Sequence, residues 1–243
     1  MSVHYQYKLK KSRAQLKYKK LQLLKFKFML QLRCSMLQHK SVIYKIIAVA
    51  KASIERSVPI MKKKIANIPF GPYITVLAGA TVSGKPNYAT LGAYGVVSQK
   101  PVLYISLKNS HYTTAGVRET GYFSVNIPSA DLIEKTDYCG TVSGHKVDKS
   151  QIFESFYDEA GNAPLIKECP VNYLCRVIQT IPIFDFTMFL GEIVATYGDE
   201  NCLENGTPDA LKVKPTVMMA AGYFGLHDRV GSVFKACSGS KQS

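Results

Sequence analysis

The 243-residue sequence contains no tryptophan, and its six cysteines include no Cys-x-x-Cys pair. The closest two, Cys169 and Cys175, match no zinc-ligand spacing. The motifs Gly-x-Ser-x-Gly, His-Glu-x-x-His and Gly-x-Gly-x-x-Gly are absent as well. The sequence therefore gives no support to a zinc centre, an α/β-hydrolase, a zinc protease or a Rossmann-type dinucleotide site.

Glycine is missing, and acidic residues are nearly missing, from the first part of the chain. Residues 1–60 contain no glycine and one acid, Glu55, against 14 lysines and arginines, a net charge of +13. Residues 61–243 contain the other 17 basic and 16 acidic residues, a net charge of +1. The basic character of the chain therefore belongs to its first 60 residues.

Three interpretations of residues 1–60 are open. The charge and the interleaved aromatics, such as Tyr18 and Phe26, would suit a nucleic-acid-binding arm. A targeting segment or membrane anchor is disfavoured, because lysines interrupt the apolar runs and residues 42–50 are too few to span a bilayer. We favour a basic extension that is non-native or disordered, since Met61-Lys-Lys-Lys-Ile65 has the character of an ordinary translation start.

The predicted organisation beyond this extension is one domain, residues 61–235, and a disordered tail, residues 236–243. The 183 residues from Met61 onward are enough to bury one sizeable core. With no recognisable secretory signal, we expect a cytoplasmic protein with reduced thiols and with neither a membrane nor a nucleic-acid partner.

Short runs rich in β-branched and aromatic residues predict a mainly β protein. The predicted strands are residues 73–82, 87–98, 102–107, 122–127, 171–180, 188–197 and 217–223. One short helix is predicted to run through Glu119, a second covers residues 129–138 with Ser129 as its cap, and a loop covers residues 139–150. Successive strands with a few short helices indicate an antiparallel barrel or sandwich.

Residues 87–126 suit a flat, phosphorylated ligand. The run Asn87-Tyr-Ala-Thr-Leu-Gly-Ala-Tyr-Gly-Val-Val-Ser98 mixes glycine and alanine with strand-forming residues, and small residues in a strand mark the close approach of a ligand or backbone. The stretch Lys108-Asn-Ser-His-Tyr-Thr-Thr114 then leads into the first predicted helix. A helix start offers free N–H groups and a favourable dipole to an anion.

Several motifs together resemble the flavin reductase-like family of FMN-binding split barrels, and within it the flavoredoxin-type proteins. They cover roughly residues 61–231 in consistent order: Asn87-x-x-Thr90, Ile105-Ser-Leu-Lys108, Tyr112-Thr113, Phe123-Ser-Val-Asn-Ile127, Asp137-Tyr-Cys-Gly-Thr-Val-Ser-Gly-His-Lys-Val-Asp-Lys149, Glu168-Cys-Pro-Val171, Phe189-Leu-Gly-Glu-Ile-Val194 and Gly222-Tyr-Phe-Gly-Leu226. The resemblance implies an antiparallel Greek-key split β-barrel with a few short helices. It also implies bound FMN and a homodimer with each flavin site at or near the subunit interface.

The resemblance further implies which residues bind FMN. Asn87 would meet an edge of the flavin ring, Thr113 the FMN phosphate, and Lys149 the phosphate or the ring, where a cation favours the anionic reduced flavin. The predicted cofactor-binding residues are Asn87, Ala89, Thr90, Ala93, Ser98, Ser106, Leu107, Lys108, His111, Thr113, Lys149, Tyr223 and Phe224. No catalytic residue and no metal ligand is predicted.

Each principal role has a plainer alternative. Asn87 would close a turn at Lys85-Pro86, Thr113 would cap a helix, and Lys149 would be a solvated loop lysine.

The chain also departs from the family pattern. Ala93 stands where relatives often carry tryptophan, and Phe186-Thr-Met188 stands where many carry a histidine. Tyr223 or Phe224 remains available to cover the ring.

Three functions are compared. The first is an NAD(P)H-dependent flavin reductase, in which weakly held nicotinamide stacks on the exposed flavin face. The second is a flavoredoxin-like electron carrier that takes electrons from a redox protein and has no nicotinamide reaction of its own. The third, nucleic-acid binding through residues 1–60, is the weakest, because residues 61–243 carry a net charge of only +1.

Overall fold

The computed structural model describes residues 20–22, 24–25, 61–98 and 100–232. Residues 20–22 and 24–25 are helical, whereas most of the predicted extension, and all of the predicted tail at residues 236–243, lie outside the described residues. The chain divides into two compact units, Met1–Asn67 and Ile68–Ser243. Within the described ranges, no helix combines the length and the apolar character needed to cross a membrane.

One antiparallel sheet of seven strands forms the framework of the second unit. Its strand order is β3-β2-β6-β9-β10-β5-β4. The strands are β2 (Val76–Val82), β3 (Lys85–Leu91), β4 (Tyr94–Val96), β5 (Val102–Lys108), β6 (Tyr122–Ile127), β9 (Val171–Ile183) and β10 (Phe186–Gly198). Three pairs of neighbours are not consecutive in the chain, namely β2 with β6, β6 with β9, and β10 with β5, and they require long connections. The expectation of an antiparallel Greek-key split β-barrel is confirmed.

The burial patterns of the strands explain their positions. All seven residues of β2 are buried, whereas β5 alternates between half-buried and buried residues until Lys108. Gly79 in β2 allows a close approach, because a Cβ there would lie 2.6 Å from the carbonyl oxygen of Pro164. The core side chains come from many strands, among them Leu103, Ile105 and Phe189.

Three smaller sheets complete the fold. The strands β1 (Tyr73–Ile74), β13 (Thr216–Met219) and β14 (Gly222–Gly225) form one of them, with β13 between the other two. The others are the hairpins β7 (Ser155–Asp158) with β8 (Gly161–Ile166), and β11 (Leu203–Glu204) with β12 (Thr207–Pro208).

Two predicted strands are interrupted in the structure. The strand expected over residues 73–82 breaks at Thr75, because β1 pairs with β13 while β2 belongs to the main sheet. The strand expected over residues 87–98 breaks after Leu91, and the amide of Ser106 donates to the carbonyl of Ala93 at the break. The β7–β8 hairpin was not predicted.

The helices are short: α1 (Tyr112–Thr120), α2 (Ile133–Thr141) and α3 (Ala210–Val213), with 3₁₀ turns at Ala130–Leu132 and Glu200–Cys202. Ser129 is the N-cap residue of the first 3₁₀ turn, as predicted, although its side chain makes no capping hydrogen bond. The loop predicted to begin at Cys139 is wrong in its first residues, because α2 continues through Thr141.

Helix α1 lies directly against β2. A Cβ at Gly116 would lie 2.7 Å from Cγ2 of Val82, so only glycine lets the helix approach the strand this closely. The helix ends at Gly121, which has φ of 69° and donates its N–H to the carbonyl of Val117. The contact at Gly116 holds α1 against β2, which is the neighbour of β3 in the sheet.

Candidate functional site

A cavity of about 240 Å³ opens between β3, the start of α1 and the segment that follows α2. Its walls contain no carboxylate among the described residues. The lining residues are Asn87, Ala89, Thr90, His111, Tyr112, Thr113, Cys139, Gly140, Thr141, Val142, Ser143, Gly144 and Lys149. We call this space the first cavity.

A hydrogen bond joins strand β3 to helix α1 at the first cavity. The amide nitrogen Nδ2 of Asn87 donates to Oγ1 of Thr113 at 2.7 Å, and both residues are buried. Because the Thr113 hydroxyl accepts this bond, its own proton is available to a ligand. Asn87 pairs with Ala80 in the middle of the β2–β3 ladder and not in the turn, so the alternative role in a turn is wrong.

The N-terminus of α1 supplies further donors. His111 is the N-cap residue, so the alternative that Thr113 caps the helix is also wrong. Within the described ranges, the backbone N–H groups of Tyr112 and Thr113 have no hydrogen-bond acceptor, whereas Thr114 donates to the carbonyl of His111. Free amides at a helix start favour a phosphate or another anion.

Lys149 is buried, with 4% of its surface exposed, and the alternative of a solvated loop lysine is therefore wrong. Its ammonium group donates to the carbonyl oxygens of Tyr88 at 3.0 Å and of Cys139 at 2.7 Å. Burial lowers the pKa of Lys149, against a raising effect of Cys139. Two bonds leave one of the three N–H groups for a ligand in the cavity that Lys149 lines.

Two further titratable side chains that line the cavity, His111 and Cys139, favour their neutral forms. Partial burial, followed by the charges of Lys108 and Lys149, lowers the pKa of His111 from its ordinary value. The imidazole is therefore a neutral hydrogen-bonding group at pH 7. Burial raises the pKa of the Cys139 thiol to about 11, although Lys149 acts in the opposite direction. A protonated thiol is a poor nucleophile, so Cys139 serves as an apolar wall.

Small residues form the part of the cavity between β3 and α2. Ala89 is buried beside Thr90, whose hydroxyl donates to the carbonyl of Thr136. A Cβ at Gly140 would lie 3.2 Å from Cβ of Thr90, which is close packing. These small side chains leave room for a flat group against the strand.

Six of the thirteen predicted binding residues line the first cavity: Asn87, Ala89, Thr90, His111, Thr113 and Lys149. The other seven lie elsewhere in the chain. Leu107 is fully buried in the core, and Ser98 is exposed and donates to the carbonyl of Lys100. Ser106 and Lys108 lie on β5, and Ala93 lies between β3 and β4, where its carbonyl accepts from the amide of Ser106. Tyr223 and Phe224 lie on β14.

Seven lining residues were not predicted, namely Tyr112, Cys139 and the five residues that follow Cys139 at the end of α2 and just beyond it. This run, Gly140-Thr-Val-Ser-Gly144, packs onto the predicted residues, since a Cβ at Gly144 would lie 2.5 Å from Oδ1 of Asn87. Its glycines and serine were visible in the sequence as loop residues. That signal would have suggested a ligand-facing loop, but it names no partner.

The protein is of the half-open antiparallel β-barrel class. Its first cavity lies at the N-terminus of α1 and is lined by Lys149 and by no carboxylate of the described residues. The model of the flavin reductase like domain matches residues 70–227. The chain therefore belongs to the flavin reductase like domain family.

Similar proteins are found among solved structures and curated sequences. The flavoredoxin from Methanosarcina acetivorans has 42% identity and a TM-score of 0.71, over 73% of this chain and 97% of that one. The flavoredoxin of Desulfovibrio vulgaris (Miyazaki F) has 29% identity and a TM-score of 0.68, over 72% and 99% of the respective chains. An uncharacterized protein of Archaeoglobus fulgidus is 35% identical over 134 residues, 53% of this chain and 75% of that protein.

Proposed function

We propose that this chain binds FMN in the first cavity and is a flavin-dependent oxidoreductase of the flavin reductase type. The observation that carries the proposal is the convergence of Asn87, Thr113 and Lys149 on one cavity. These residues come from three separate segments of a chain that belongs to the flavin reductase like domain family.

The chemistry of the first cavity fits a phosphorylated flavin. The hydroxyl of Thr113 and the free amides of Tyr112 and Thr113 are donors that a phosphate monoester accepts. The ammonium of Lys149 adds a buried positive charge, and no carboxylate of the described residues lines the cavity to repel an anion. Ala89 and Gly140 leave the strand face open to a flat ring.

When bound, a flavin supplies the two-electron chemistry, and the protein supplies binding and electrostatics. The carbonyl groups of Tyr88 and Cys139 hold the Lys149 ammonium at the cavity wall. A cation held in place there favours whichever form of the ligand carries more negative charge. Lys149 therefore both anchors an anionic ligand and favours electron uptake by it.

We propose NAD(P)H as the electron donor. The sequence contains no Gly-x-Gly-x-x-Gly motif, so a nicotinamide would be held by contact with the exposed face of the flavin and not by a Rossmann unit. The second candidate is an electron carrier reduced by another redox protein. The 42% identity to the flavoredoxin from Methanosarcina acetivorans favours this candidate.

The visible spectrum of the purified protein tests both parts of the proposal. We expect yellow absorbance after FMN is added and excess is removed, and rapid loss of that absorbance in a stopped-flow mixture with NADH or NADPH. A colourless protein that shows no FMN binding by fluorescence titration would contradict the proposed cofactor. A flavin that stays oxidised with nicotinamide but is reduced by a ferredoxin-type donor would favour the carrier.

We further propose a homodimer. Apolar side chains are exposed on edge strand β4, where Val96 is 73% exposed, and at the turn between β9 and β10, where Phe184 is fully exposed. Edges and apolar surfaces of this kind are commonly covered by a second copy. Multi-angle light scattering of the FMN-loaded protein is expected to return twice the 26.9 kDa chain mass. A monomer mass would contradict the proposal.

A further inference from the structure

A second cavity, of about 270 Å³, adjoins the first. The two cavities share Asn87, Tyr112, Gly144 and Lys149 as lining residues. Gly144 packs tightly at this shared wall, since a Cβ there would lie 2.5 Å from Oδ1 of Asn87 and 2.7 Å from Cδ1 of Tyr112. A ligand in the second cavity would therefore lie next to a flavin in the first.

Positive charge predominates in the second cavity. Lys85, Lys146 and Lys149 line it, against a single acid, Asp148. Lys85 and Asp148 form an ion pair at 2.8 Å. The hydrogen bond from Lys85, and then those from Ser150, hold the pKa of Asp148 well below its usual range, so this pair stays ionised and internally balanced at neutral pH. Lys146 and Lys149 are left as uncompensated charges.

Lys146 is presented by a tight turn. Its backbone N–H donates to the carbonyl of Ser143 at 2.9 Å, and the N–H of Val147 donates to the same oxygen at 3.0 Å. These two amides are satisfied, so the proposed contact of Lys146 with an anion is made by its side chain. Within residues 61–98 and 100–232, no carboxylate lies within 4.0 Å of the ammonium of Lys146.

Two aromatic rings line the second cavity together with Lys146 and Lys149. The rings of Tyr112 and His145 both line the second cavity, and their centroids are 4.8 Å apart at an interplanar angle of 64°. Aromatic surface next to ammonium groups suits a ligand that combines a planar base with phosphate groups. A nucleotide has this combination.

We propose that the second cavity is a nucleotide-diphosphate subsite, separate from the flavin site, in which Lys146 binds the diphosphate. The inference rests on the proposed function, because it assigns the first cavity to FMN. In this subsite the protein binds a nucleotide electron donor through its phosphate groups, although the chain has no Gly-x-Gly-x-x-Gly motif. The hydrogen-bond donors proposed for this subsite are side chains. A glycine-rich phosphate loop, which binds through backbone amides, is therefore not needed.

Isothermal titration of the full-length, FMN-saturated protein with ADP tests this subsite. We expect Lys146→Gln to weaken ADP binding about tenfold, because a charge-assisted contact to phosphate is lost. Lys146→Glu should weaken ADP binding further, and Lys146→Arg should stay within about twofold of the parent because the charge is kept. The control is Lys100→Gln, an exposed lysine outside both cavities, which should leave the ADP affinity unchanged.

Three outcomes would overturn the proposal. The first is equal ADP affinity in Lys146→Gln and Lys100→Gln. The second is loss of adenosine affinity as large as the loss of ADP affinity, which would show that phosphate is not what Lys146 binds. The third is a matching loss of FMN affinity in Lys146→Gln, which would make the second cavity part of the flavin site. If the protein binds no FMN, the proposed function fails, while the ADP titration of the flavin-free chain still measures the subsite.

Discussion

Two clusters of buried polar side chains include residues of the main sheet, and they differ in how completely their hydrogen bonds are satisfied. The Asn126 cluster consists of Ser124, Asn126 and Asn172, and the Asn87 cluster consists of Asn87, Thr113 and Lys149. No residue in either cluster is more than 4% exposed. Burial alone therefore does not separate them.

Every polar atom of the Asn126 side chain is used within the protein. Its nitrogen donates to the carbonyl of Leu77 at 3.0 Å and to Ser124 at 2.9 Å. Its oxygen accepts from the amide of Ile166 and from the side chain of Asn172, both at 2.9 Å. The amide thus reaches its full capacity of two donated and two accepted bonds. A saturated cluster of this kind fixes β2, β6, β8 and β9 relative to one another.

The Asn87 cluster is left with unused capacity. The Thr113 hydroxyl proton and one N–H of Lys149 have no acceptor among the described residues, and both side chains line a cavity. Buried groups that lack partners are costly, and donors left free beside a cavity are what the proposed FMN site requires. The comparison therefore contrasts a saturated structural cluster with the cluster that we propose binds a ligand.

The largest effect is expected at the saturated cluster. Asn126→Ala leaves the amide of Ile166 and the side chain of Asn172 without their acceptor, and should lower the free energy of unfolding by about 3 kcal/mol. Urea denaturation measures the change. The control Asn201→Ala, at an exposed position, should stay within about 0.5 kcal/mol of the parent. A loss of FMN affinity in the folded Asn126→Ala protein would contradict the assignment of Asn126 to a purely structural cluster.

A smaller effect, on binding and not on stability, is expected at Lys149. Lys149→Met removes the charge-assisted contact and should weaken FMN binding about tenfold or more. Its stability should change little, because the carbonyls of Tyr88 and Cys139 lose a donor while the cost of burying a charge disappears. Fluorescence titration and urea denaturation, with Lys100→Met as the control, measure both. An unchanged FMN dissociation constant would remove Lys149 from the site.

Thr113→Val should weaken FMN binding about tenfold, since a hydrogen bond to a charged phosphate contributes about 1.5 kcal/mol or more. Valine keeps the shape of threonine but cannot accept from Nδ2 of Asn87 or donate to a phosphate. Thr120→Val, at the other end of α1, is the matched control. Equal FMN affinities for the two variants would show that the hydroxyl at Thr113 serves only the structure.

The smallest effect is a pH dependence of stability. Because burial lowers the pKa of Lys149 in the folded state, the unfolded chain binds more protons than the folded chain between that lowered pKa and 10.5. Stability should therefore rise with pH through this window in the parent, relative to Lys149→Met. Urea denaturation at a series of alkaline pH values tests the sign. A parallel pH profile for the two proteins would contradict it.

Local sequence patterns were sufficient to predict several strands and helices correctly. The predicted strand over residues 122–127 matches β6, and the polar stretch before residue 112 leads into α1 as expected. Strand alternation depends only on residues that are close in the sequence, and so does the turn at Ser83-Gly84. Both features can therefore be predicted from the sequence.

The errors arose where tertiary contacts override local preference. Helix α2 continues through Gly140 and Thr141, two poor helix formers, at a point where Gly140 packs against Thr90. The strand over residues 73–82 breaks at Thr75 because its two parts pair with different sheets. The β7–β8 hairpin stayed unpredicted, since β8 is supported by its packing against distant strands of the main sheet.

The sequence by itself determined the family, the mainly antiparallel β fold and the residue types of the proposed phosphate site, because motif spacing and strand periodicity are local properties. Only the tertiary structure decided that Lys149 is buried and reaches the carbonyl of Tyr88, 61 residues away. The same holds for the bond between Asn87 and Thr113, which are 26 residues apart. Contacts at such separations depend on how α1 and the segment after α2 pack against β3, and the same packing places Lys85 and Lys146 in the walls of the second cavity.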